Sequence, residues 1–195
     1  MAKCCWLPRL IIILLPLPPC DGSSGADVDP TAGFAAVELT GDMFKLHKPY
    51  DLPPEQRYEF RDGVRRMWVL CSDRPFSPGS TTKPRSEILL NVFGASGRNT
   101  TLMLHVYGGR LMYYHDEARV VDGDIYDRWF RLNVVHDVAG VGKLAVFVDG
   151  ERRLAVAGHG GYRHYFKFGV YVQRDPSHYM ESRWRDVKVY TKIVD

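Results

Sequence analysis

Apolar residues recur in short runs along most of the chain, and no stretch sustains the three-to-four spacing of an amphipathic helix. The pattern predicts strands over Ala35–Leu39, Phe44–His47, Tyr58–Phe60, Val64–Leu70, Arg85–Phe93 and Thr101–Tyr107. It predicts others over Arg110–Tyr114, Trp129–Val135, Lys143–Val148, Arg152–Ala157, Tyr165–Gln173 and Arg183–Thr191. The breaks carry turn chemistry at Asp62-Gly63, Gly108-Gly109, Asp122-Gly123, Asp149-Gly150 and Gly160-Gly161, with Asp149-Gly150 the clearest hairpin. One helical turn is expected at Leu52-Pro53-Pro54-Glu55-Gln56, where proline suits a first turn. Many short strands with no linker between them predict one all-β domain, a sandwich or jelly roll.

The exception to this pattern is the first segment. Lys3 and Arg9 precede the apolar run Leu10–Leu15, and prolines and small residues follow up to Ala26. This is the layout of a cleaved signal peptide over 1–26, and the run is far shorter than the ~20 residues that span a bilayer. The expected domain is therefore 27–195, with no membrane span after processing, in a protein of the secretory route destined for the cell wall, the exterior or a vacuole. Asn99-Thr100-Thr101 is a glycosylation sequon consistent with that route. Of four cysteines only Cys71 remains in the expected domain. No internal disulfide can form there, and Cys71, after Trp68-Val69-Leu70, reads as a buried small hydrophobe.

A net charge of +3 is too small to argue for nucleic acid, so any electrostatic role must be local. The richest candidate is Tyr165–Gln173. Strand alternation sets Phe166, Phe168, Val170 and Val172 on a core face. Tyr165, Lys167, Tyr171 and Gln173 fall on the other, with Gly169 as a gap. That face offers a cation, phenols and an amide, all donors to an anionic oxygen. The bland alternative is a solvated outer face. In Arg85–Asn91, Arg85, Glu87, Leu89 and Asn91 share a side, and a guanidinium held by Glu87 would suit a carboxylate. A surface ion pair of ~0–1 kcal/mol explains the same residues. The histidines have no metal-ligand spacing, Asp122, Asp124 and Asp127 match no EF-hand, and no nucleotide or serine-hydrolase motif occurs, so neither metal nor cofactor is expected.

Phe44–Tyr50, Tyr58–Val64, Pro84-Arg85-Ser86-Glu87, Ile125–Asn133 and Tyr165–Gln173 together resemble the alginate-lyase-2 domain family, a concanavalin-like jelly roll of two antiparallel sheets, and most of all its plant citrate-binding branch. The lyases of that family cut acidic polysaccharides by β-elimination, which needs a base, an acid and donors that neutralise the enolate-like charge. The resemblance implies that Arg85 is the neutralising arginine and Tyr171 the catalytic tyrosine. The family's Gln-x-His strand aligns with Asn91-Val92-Phe93. Asn91 can still donate to a carboxylate, but Phe93 cannot take a proton, and forfeiting a positioned base costs ~10²–10⁴-fold in rate. A further departure is the direct run of Leu90 into Asn91, where the family carries an insertion. Strands are therefore expected to be missing there, leaving a sheet edge open to pairing.

Binding is thus the leading expectation: Arg85, Glu87, Asn91, Lys167, Tyr171 and Gln173 around citrate or an acidic saccharide. An active lyase using Tyr171 with Arg85 is the alternative, and a structural protein with a vestigial groove is a third.

Overall fold

The computed structural model describes residues 29–79, 85–86, 90–94, 100–138, 142–159, 164–170, 172–173 and 177–192. The expected signal segment, Glu87, Asn99 and Tyr171 lie outside the described residues. In chain order the strands begin with β1 (Ala35–Val37), β2 (Tyr58–Arg61), β3 (Val64–Leu70), β4 (Arg85–Ser86) and β5 (Leu90–Gly94). Next come β6 (Thr100–Tyr107), β7 (Arg110–Tyr113), β8 (Val120–Asp122), β9 (Leu132–Asp137) and β10 (Lys143–Val148). The last are β11 (Glu151–Ala157), β12 (His164–Lys167), β13 (Val172–Gln173), β14 (Tyr179–Arg185) and β15 (Val189–Thr191). The helical content among the described residues is two single turns of 3₁₀ helix, Gly41–Met43 and Pro54–Gln56. The second is the turn that the prolines predict.

The fold is all-β, as expected. Its largest sheet has the order β12-β5-β6-β7-β8, and three-stranded sheets run β11-β10-β9 and β14-β3-β2. Every pairing within these sheets is antiparallel. Two short pairs complete the set among the described residues, antiparallel β1 with β15 and parallel β4 with β13.

Alternation builds the core. Leu102, Leu104 and Val106 of β6 meet Leu132 and Val134 of β9, and Leu144, Val146 and Val148 of β10, with Trp184 of β14 at one side. Each is at most 5% exposed, and burying one such side chain stabilises by about 1.5–3 kcal/mol. The β10–β11 hairpin closes at Asp149-Gly150, both with positive φ (51° and 89°), the backbone of a two-residue hairpin turn. The Asp149 carboxylate also accepts the Arg131 N–H at 2.7 Å.

Five expectations need correcting. The predicted Phe44–His47 strand is irregular chain after the first 3₁₀ turn, and β9 starts at Leu132, leaving Trp129 and Phe130 in a loop. The single Tyr165–Gln173 strand is two strands in different sheets. Gly169 lies between them with φ 117°, a conformation that L side chains rarely adopt. Lys167 and Gln173 therefore do not share one continuous pleat. Cys71 is exposed rather than buried, its Sγ 3.5 Å from His178 Nδ1, because β3 ends at Leu70 and the chain turns outward. Finally, the Leu90–Asn91 join lies inside β5, which is flanked by β12 and β6, so no edge opens there.

Candidate functional site

β12 pairs with β5 so that Lys167 stands opposite Asn91, and β5 pairs with β6 so that Asn91 stands opposite Met103. β4 lies beside β13, with Arg85 opposite Val172 and Ser86 opposite Gln173. The backbone thus brings the two motif segments into adjacent strands, while the register leaves Arg85 and Gln173 one residue out of step. Arg85, Asn91 and Gln173 are placed by this backbone register, and Lys167 by its side chain as well.

Lys167 lines a cavity of about 970 Å³. One wall is the end of β12 and the turn after it, Phe166 to Val170. A second is β3, through Arg65, Met67 and Val69, and a third is the irregular segment 39–49. Aromatic contacts fix that segment: Phe44 meets Phe168 edge-on at 6.2 Å, and Phe168 lies 5.2 Å from Trp184 at the core margin. Lys48 donates to the carbonyls of Pro49 (3.4 Å) and Leu52, which pins the chain as it leaves the cavity.

The charges on these walls are of one sign. Lys45, His47, Arg57, Arg65 and Lys167 line the space, and no aspartate or glutamate is among the described residues doing so. Arg57 is neutralised from behind, its guanidinium gripping the Asp73 carboxylate with two hydrogen bonds, one of 2.7 Å. Arg65 is held otherwise. Its guanidinium carbon lies 3.8 Å from the Phe44 ring centre and 4.4 Å from that of Phe60, and it donates to the Tyr58 hydroxyl at 2.5 Å. These partners orient the cation without cancelling its charge.

Burial lowers the Lys167 pKa, because a shielded ammonium loses hydration. His47 is lowered first by burial and then by the positive charges of Lys167 and Lys45. An entering anion would favour the charged form of both groups. Apolar walls strengthen such an attraction by reducing solvent screening. Among the described residues no cluster of three or more His, Cys, Asp or Glu could hold a metal ion, and no helix is long and apolar enough to cross a membrane.

The sequence pattern pointed to Lys167 but missed Lys45, His47, Arg65 and Tyr58. For Lys45 and His47 the signal was the Phe44–Tyr50 segment itself, where two lysines and a histidine stand within seven residues and no acid intervenes.

Comparison with known proteins bears on what such a cavity serves. A family model described as alginate lyase matches residues 88–191. A citrate-binding protein of Hevea brasiliensis is 41% identical over 191 positions, covering 83% of this chain and 79% of the relative. The chain belongs to this alginate lyase family. Because 191 positions exceed 83% of a 195-residue chain, the relative carries residues within the aligned stretch that this family member lacks. Two solved structures are also similar to it. The alginate lyase AlgAT5 of polysaccharide lyase family 7 is 13% identical, covers 82% of this chain and 92% of its own, and has a TM-score of 0.47. The alginate lyase from Corynebacterium sp. is 12% identical, covers 94% and 92%, and has the same score.

Proposed function

We propose that this member of the family binds a carboxylate-bearing ligand, citrate or a short acidic saccharide, without cleaving it. The observation that carries the reading is the cavity whose charged lining is cationic throughout, with Lys167 and Arg65 both in it. Each charge-assisted hydrogen bond to a carboxylate contributes about 1.5–3 kcal/mol. The likeness to a protein named for citrate binding supports the same reading. At about 970 Å³ the cavity exceeds the size of one citrate, so an acidic disaccharide or trisaccharide also has room. Arg85, Asn91, Gln173, Tyr171 and Glu87 belong to the proposal, from their sequence motifs, as further donors and orienting groups.

Cleavage is the second reading, favoured by a family model described as alginate lyase. It would rest on Tyr171 as base and acid with Arg85 neutralising the carboxylate. Phe93 weakens it, since phenylalanine stands where the family's base would be, and an ordinary phenol with a pKa near ~10 is a poor base at neutral pH.

Titration calorimetry with citrate and with a trimer of uronic acid, alongside ultraviolet absorbance on uronate polymers, separates the two. The expected outcome is saturable heat and flat absorbance. Lys167→Ala or Arg65→Ala should weaken binding roughly tenfold or more. Absence of heat for both ligands rejects the binding reading, and a rising absorbance establishes the lyase.

A further inference from the structure

A second cavity, of about 710 Å³, shares no lining residue with the first. It lies between the loop that follows β8, residues 125–130, and strand β14. Its floor is the core itself, including Leu104, Leu111 and Trp184, and its rim is aromatic. Tyr126 is 53% exposed and Tyr179 42% exposed. Where the first cavity is cationic, this one is balanced: its charged lining is Asp127 and Glu181 against Arg128 and Arg183. We propose that this cavity is a binding site for a neutral saccharide, taken between the Tyr126 and Tyr179 rings and hydrogen-bonded by the paired charges at its rim.

Three of the four charged lining residues, Arg128, Glu181 and Arg183, already have partners of opposite charge. Arg183 donates to Glu181 at 2.5 Å, and Arg66 holds the same carboxylate at 2.7 Å. Arg128 pairs with Asp122 and lies 3.5 Å from Asp149. Burial would raise the Glu181 carboxyl, but hydrogen bonds from Arg66, Tyr179 and Arg183 outweigh it and bring it down to about 2. The carboxylate thus stays an acceptor at every physiological pH. An anion would meet Asp127 and Glu181, and a cation would meet the two arginines. A neutral ligand meets neither penalty, and its hydroxyls can both donate to carboxylates and accept from guanidinium groups.

The rings supply the remaining attraction. Large apolar faces attract weakly polar C–H surfaces, and a sugar ring presents such a surface on one side. Tyr126 is built to act as a platform. One side of its ring rests on Gly109, where a side-chain carbon would come within 3.2 Å, so a residue larger than glycine would push the ring away. Asp127, with φ 54°, turns the chain sharply between this ring and Arg128.

The test uses the whole chain with two probes, cellotetraose and mannotetraose. Binding is followed by quenching of tryptophan fluorescence, since Trp129 and Trp184 line the cavity, and by calorimetry. At least one probe is expected to bind at millimolar concentration. Tyr126→Ala should weaken it roughly fivefold, whereas Tyr126→Phe, which keeps the ring, should stay within about twofold. Citrate should neither displace the sugar nor change its own affinity in either variant, which keeps this outcome separate from that of the anion cavity. Failure of both probes to bind, equal binding by Tyr126→Ala, or displacement by citrate overturns the proposal.

Discussion

Lys167 and His47 occupy opposite sides of the same electrostatic conflict. Each loses hydration in the cavity wall, and the positive charges of Lys167 and Lys45 further disfavour the His47 imidazolium. The folded state therefore holds His47 below its ordinary value, and a neutral imidazole is favoured as long as the cavity is empty of anion. A bound carboxylate reverses the sign, because it favours the imidazolium and raises the pKa. By linkage, binding must take up protons, and affinity must rise as pH falls through the range just below 6.5. Calorimetry in buffers of different ionisation enthalpy measures this uptake directly. His47→Gln should abolish that share of the uptake while leaving the ligand's own protonation unchanged. Equal uptake by the two proteins would place His47 outside the binding surface. On stability the sign is the ordinary one for a depressed base. The unfolded chain binds more protons at mildly acidic pH, so the empty protein becomes less stable as pH drops below 6.5.

Gly169 decides the geometry at the scale of the strands. Alternation alone carries Tyr165 to Gln173 through one pleat, but the φ of 117° at Gly169 interrupts it and hands Gln173 to a different sheet from Lys167. A side-chain carbon at 169 would also stand 2.5 Å from Met67 Sδ, on β3. Gly169→Ala should cost about 1–3 kcal/mol in thermal or denaturant unfolding, through strain plus displacement of Met67. Stability within a few tenths of wild type would mean that the turn is freely remodelled. The reason this interruption was hard to read is physical. Glycine in a strand signals either a gap in one pleat or a break in it, and only packing against Met67 selects the break. The hairpin at Asp149-Gly150 was legible because its two residues demand positive φ on their own. Phe166 and Phe168 were legible too, and they do pack against the core. Phe44–His47 was not: its apolar residues meet Phe168 and the cavity rather than a partner strand, so hydrophobic pattern without a hydrogen-bonded neighbour left it irregular.

The molecule as a whole is an all-β sandwich whose core is sealed by β6, β9 and β10, and two of its cavities differ in charge. Fold class followed from strand spacing and turns, because period-two burial is a property of the chain itself. The site did not follow so far. Lys45, His47 and Arg65 come from segments more than a hundred residues away from Lys167, and no local pattern announces that they share a wall. The most direct test of the account is a structure of the whole chain determined with citrate bound. The account predicts carboxylate oxygens within hydrogen-bonding distance of Lys167 Nζ, with His47 or Arg65 completing the contact. Citrate seated away from Lys167, or the cavity filled by a protein side chain while citrate binds elsewhere, would contradict it.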